Sequence, residues 1–148
     1  MDSILNTIGG RQIAPHSEKW LPNIEPATGQ PYGKLPESDV TDVDAAVQAA
    51  SAARDAWAEL GGQERGAHLH ALADAVEARS EELSRLESID NGKPIALART
   101  IDIPRAVQNL RFFADAAHTD RSEILRTGEQ AINTVIRQPV GIAGVISP

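Results

Sequence analysis

The chain has 148 residues, enough for one domain, and carries 14 Lys and Arg against 21 Asp and Glu, a net charge of −7. That balance disfavours nucleic acid and anionic membrane surfaces as partners. With no Cys in the sequence, disulfides, thiolate metal sites and a Cys nucleophile are excluded within these residues.

Residues 4–36 read as short strands joined by turns. Gly9-Gly10 suits a tight hairpin, because Gly tolerates positive φ, and Pro26-Ala-Thr-Gly29 is a second turn between strands at 20–24 and 32–35. Isolated hairpins are marginal in water, so this meander must lie against something larger. From Ser38 the composition becomes Ala-rich and helical. Thr41-Asp-Val-Asp44 resembles a capping box, and Val43, Ala46, Val47, Ala50 and Trp57 follow a helical spacing up to Gly61-Gly62. A second helix is predicted over 63–79 with Leu69, Leu72, Ala73 and Val76 inward. A third runs from Ser80 through Leu83, Leu86 and Ile89 to a stop at Asn91-Gly92-Lys93-Pro94. A fourth, capped by Asp102 with Pro104 in its first turn, reads through Ile103, Ala106, Val107, Leu110, Phe113 and Ala114. Gly128 marks a turn, after which 131–138 alternates as a half-exposed strand. Residues 140–146 are an unbroken apolar and Gly run, as expected of a strand buried on both faces of a parallel sheet. Such a strand needs neighbours, so the chain reads as the front part of a larger enzyme. No apolar run nears the ~20 residues that span a bilayer, and the N-terminus has no leader pattern, so a cytoplasmic protein is expected.

Few side chains suggest chemistry directly. Gly141 and Gly144 lack the full dinucleotide fingerprint and precede no helix, so they read as glycines allowing close approach inside a sheet. His68 and His70 are two apart on a helix and cannot chelate one ion together; with His16 and His118 they read as solvated or capping groups. Glu81 and Glu82 complement a helix dipole. Asp90 precedes a Gly turn at a helix end, where the dipole disfavours a carboxylate unless a cation or donors meet it. Arg105, with Ile101 and Asn109 each one turn away, lies off the core stripe. It can hold a substrate carboxylate through two parallel hydrogen bonds, or it can be a surface Arg paired with an acid.

Four stretches, Glu25-Pro-Ala-Thr-Gly-Gln30, Thr41-Asp-Val-Asp-Ala-Ala-Val47, Leu86-Glu-Ser-Ile-Asp-Asn-Gly-Lys-Pro94 and Gln138-Pro-Val-Gly-Ile-Ala-Gly-Val-Ile-Ser-Pro148, resemble landmarks of the NAD(P)-dependent aldehyde dehydrogenases, in the family's order. The segment around Arg105 is most similar to the branch that oxidises 2-hydroxymuconic or 2-aminomuconic semialdehyde. The resemblance implies an α/β fold, the N-terminal part of the dehydrogenase. Residues 1–37 would form a strand meander and 38–118 a helical layer of the coenzyme-binding domain. Residues 119–139 would be a ribbon strand region, and 140–148 the first strand of the coenzyme sheet, cut short. It implies a small-molecule aldehyde substrate, NAD as acceptor with NADP the alternative, and a homo-oligomer. By the same resemblance Ile146, Ser147 and Pro148 contact the cofactor, and Arg105 and Asn109 line the substrate tunnel. Main-chain oxygens of Asn23 and Ile24 would join the Asp90 carboxylate around a monovalent cation. The family's catalytic Asn, Cys and Glu have no counterpart in these residues, so the chain alone is expected to be inactive. The rival reading is a non-catalytic, truncated paralogue that pairs with a full-length enzyme through the 131–138 ribbon.

Overall fold

Glycine turns organise the N-terminal strands. The computed structural model describes residues 2–119 and 123–146. Strands β2 (Asn6–Ile8) and β3 (Arg11–Ile13) pair antiparallel across Gly9 and Gly10, whose φ values of 58° and 75° suit a primed hairpin turn. A separate sheet, in the order β1-β5-β4, joins β1 (Asp2–Ser3), β5 (Gln30–Pro36) and β4 (Trp20–Glu25). β1 runs parallel to β5 and β4 antiparallel to it. Asn23 pairs with Gly33 but Ile24 pairs with Pro31, so Tyr32 is the extra residue of a β-bulge.

Helix α1 (Val40–Glu59) begins earlier than its Thr41 signal suggests. Asp39 is the N-cap, accepting from the Thr41 and Asp42 amides, and Asp42 at N3 returns a bond to the Asp39 amide. A second correction concerns its apolar stripe. Val43, Val47 and Trp57 are about half exposed, because among the described residues α1 makes few contacts with other elements, chiefly with β2, and its stripe is only partly covered. Gly61 and Gly62 end α1 but also start α2 (Gly62–Ala78), with Gly61 as its N-cap.

Helix α2 crosses the later α5 (Ile103–Thr119) at very short range. A Cβ on Gly62 would stand 2.1 Å from the Ala117 carbonyl oxygen, and one on Gly66 2.7 Å from that of Ala114. These glycines let the backbones meet. Helix α3 (Ser80–Asn91) ends at Gly92, whose φ of 78° gives the left-handed cap expected of Asn-Gly-Lys-Pro.

The fourth predicted helix is longer than its sequence signals. α4 (Ile95–Leu97), a π turn (Ala98–Asp102) and α5 follow one another without a break, so Asp102 is no N-cap. The Ile103 amide donates to the Ala98 carbonyl across the wide turn. This widening accommodates Pro104, which lacks an N–H and would crowd the preceding carbonyls of a regular helix. The core between α2, α3 and α5 is built from small residues, Ala73, Ser84, Ala98, Val107 and Ala114, while Leu72, Leu86, Ala106 and Phe113, expected inward, are exposed.

Beyond α5, β6 (Glu123–Thr127) and β7 (Ala131–Val135) form an antiparallel hairpin, exposed on both faces rather than half-buried. Residues 140–146 differ most from expectation. They form no strand, because no strand among the described residues lies beside them to complete a ladder. Val140 is 99% exposed, and a side chain at Gly141 or Gly144 would meet open space rather than a packed sheet.

Candidate functional site

Two groups of predicted site residues are brought together by the fold, and the third lies mainly outside the described residues. The first sits where the β-bulge meets the end of α3. Displaced by the bulge, Tyr32 donates its hydroxyl proton to Asp90 Oδ1. Asn23 Nδ2 donates to the same oxygen at 3.0 Å and to the Tyr32 hydroxyl at 2.8 Å. These two donors, Tyr32 first, hold the Asp90 carboxyl below the usual carboxylate range, while the hydrogen bond to Asp90 pushes the Tyr32 hydroxyl up to about 12. The neutral donors meet the requirement that the helix C-terminus imposes on Asp90. Tyr32 was not legible as a partner, because only the register slip at Asn23/Ile24 aims it at α3.

Among the described residues, no group of three His, Asp or Glu side chains could hold a metal ion. A cation at Asp90 would therefore rest on main-chain oxygens. The donor set fits one: the Tyr32 and Asn23 hydrogen bonds both fall on Asp90 Oδ1, and the ladder is irregular between Asn23 and Ile24. Carboxylate and carbonyl oxygens suit hard cations.

The second group is on α5. Arg105 and Asn109 are both exposed and one helical turn apart. Among the described residues Arg105 takes part in no ion pair. Its helix neighbours are committed: Arg99 meets Glu81 with Nε at 2.8 Å, and Arg111 Nη2 meets Glu77 at 2.7 Å and Asp74 at 2.9 Å. Lys93 was missed by sequence reasoning. Its Nζ lies 2.6 Å from Asp102 Oδ2 and 2.8 Å from Glu87 Oε1, and the Asp102 contact contributes most to raising its pKa.

Of the third group, Ile146 is fully exposed; Ser147 and Pro148 lie outside the described residues. Three of the four histidines are engaged locally. The His68 ring lies tilted at 43° beside Trp57 with ring centres 5.7 Å apart, His70 lies 3.0 Å from Asp115, and His16 lies 3.1 Å from Asp39.

A strand meander set against a helical layer defines part of an α/β fold. Residues 13–148 match the model of the aldehyde dehydrogenase family, and the chain belongs to that family. It is 43% identical over 144 residues to the 2-aminomuconic semialdehyde dehydrogenase of Mus musculus, covering 97% of this chain and 29% of that one. To the 2-hydroxymuconic semialdehyde dehydrogenase of Pseudomonas sp. (strain CF600) it is 39% identical, covering 100% of this chain and 32% of that one. PnpE, solved in complex with nicotinamide adenine dinucleotide, superposes with a TM-score of 0.86 at 34% identity, covering 92% of this chain and 28% of that one. The chain thus spans less than a third of the length of these relatives and has the α/β fold of their N-terminal part.

Proposed function

We propose that this chain is the N-terminal portion of an NAD-dependent aldehyde dehydrogenase that oxidises a carboxylated semialdehyde to the acid. The carrying observation is Arg105: an exposed guanidinium without an acidic partner among the described residues, followed one turn later by the amide of Asn109. An unpaired, planar fork of donors is suited to two parallel bonds with a carboxylate, and Asn109 adds a neutral donor beside it. Support comes from relatives that match nearly the whole chain and are named for muconic semialdehydes. NAD, when bound, supplies the hydride acceptor; Ile146, Ser147 and Pro148 would form part of the surface against it. A monovalent cation at Asp90 and the main-chain oxygens of Asn23 and Ile24 would brace the meander on α3.

The test is Arg105→Ala in a complete dehydrogenase carrying this segment. The Michaelis constant for a carboxylated semialdehyde should rise about tenfold or more, as loss of a charge-assisted bidentate contact implies, with a far smaller change for an uncharged aldehyde. Equal changes for both substrates would refute the anchor.

A further inference from the structure

The π turn controls which side of the helix Arg105 occupies. In an uninterrupted α-helix each residue advances about 100°, so Ala98 and Val107 would point about 180° apart. Yet Ala98 is 0% and Val107 4% exposed, on the same side of the layer as Ala114 at 1%. The π turn reconciles them: by absorbing one extra residue it brings Ala98 and Val107 within about 80° of each other. The same step moves Arg105. Without it, Arg105 would stand about 20° from Ala98, over the packed side; with it, the angle is about 120° and the side chain faces out.

A wide turn is intrinsically poorer than an α turn and persists where its surroundings hold it. Two ties to α3 do so here. Arg99, inside the turn, pairs with Glu81, and Asp102, its last residue, pairs with Lys93, which itself bridges to Glu87. Lys93 is fixed in turn, because its carbonyl accepts from Ser88 Oγ at 2.7 Å and its amide donates to Asn91 Oδ1 at 2.9 Å. Its side chain is only 28% exposed, so the bridge is partly shielded from water and salt.

We infer that Lys93, through its bridge from Glu87 to Asp102, is a positioning residue for substrate selection. It locks the π turn that presents Arg105 and Asn109 outward. This rests on Arg105 being the carboxylate anchor, and the experiment separates the two ideas. In the complete dehydrogenase carrying this segment, Lys93→Met should raise the Michaelis constant for a carboxylated semialdehyde about five- to tenfold, leaving the turnover number and the constant for an uncharged aldehyde in place. Lys93→Arg, which keeps the charge, should restore most of the loss. In an Arg105→Ala background, Lys93→Met should add nothing. Hydrogen exchange at the Ile103 amide, the donor that closes the turn, should quicken in Lys93→Met. Asp102→Asn is nearly isosteric and carries the same test if Lys93→Met does not fold. A selective Arg105→Ala effect with an unchanged Lys93→Met enzyme would overturn the positioning role and leave the anchor standing. Equal increases for both aldehydes in Lys93→Met would show a purely structural residue and overturn it as well. A non-selective Arg105→Ala would remove the anchor and this role together.

Discussion

Asp90 shows how a single carboxylate is made tolerable at a helix end. Two uncharged donors, the Tyr32 hydroxyl and the Asn23 amide, converge on one oxygen, and the result is a pH-dependent clasp between the meander and α3. Its sign follows from the shifts. The Asp90 pKa is depressed below 3.8 in the fold, so its contribution is complete above that value and is lost as pH falls through the folded value. For Tyr32, raised from 10.0 to about 12, the contribution is complete below 10.0 and lost as pH rises through about 12. Tyr32→Phe should therefore lower the melting temperature at neutral pH and lose its effect as pH falls through the folded Asp90 value, with a stability change of about 1 kcal/mol or less after allowance for solvent. A pH-independent difference in thermal melts would count against the clasp. His16 has the opposite polarity to Asp90. Its pKa is raised, chiefly by its hydrogen bond to Asp39, so that pair contributes fully below 6.5 and fades as pH rises through the folded value.

The helices and strands show which signals a sequence carries locally and which need a partner. The Gly9-Gly10 hairpin, the Pro26 turn and the Gly92 stop were all legible, because each depends on backbone preferences of a few adjacent residues. The start of α1 was misplaced because Asp39 and Thr41 are both good caps, and what separates them is Asp42, whose carboxylate also accepts the His16 amide at 3.0 Å and 3.2 Å. Asp39→Ala should accordingly lower helicity and melting temperature, whereas Thr41→Ala should be nearly silent; circular dichroism with thermal melts distinguishes the two, and the reverse order would restore Thr41 as the cap. The π turn was invisible, since a one-residue change of phase leaves no residue type behind it. For the same reason Arg105 and Asn109 could be placed on one face from their spacing, but the role of Lys93 and Asp102 in aiming that face could not.

Taken as a whole, the chain exposes 11294 Å² for 15.8 kDa, where a closed domain of that mass exposes about 7,000 Å². The excess is apolar as well as polar, with Trp57, Phe112, Phe113 and Ile146 all facing outward. No helix among the described residues is long and apolar enough to cross a membrane. What does close is the seam where α2 meets α5, and it closes on main chain rather than on side chains. A saturation library of these residues should therefore read as the inverse of a hydropathy plot. Leu72 and Phe113, the large apolar residues, should accept polar replacements almost silently in a folding screen. Gly62 and Gly66 should reject even one added methyl, at about 1–3 kcal/mol for Gly66→Ala, because the neighbouring carbonyl cannot retreat without moving its helix. The positions that tolerate least are those that contribute no side chain, and ranking variants by lost hydrophobicity would misjudge this protein.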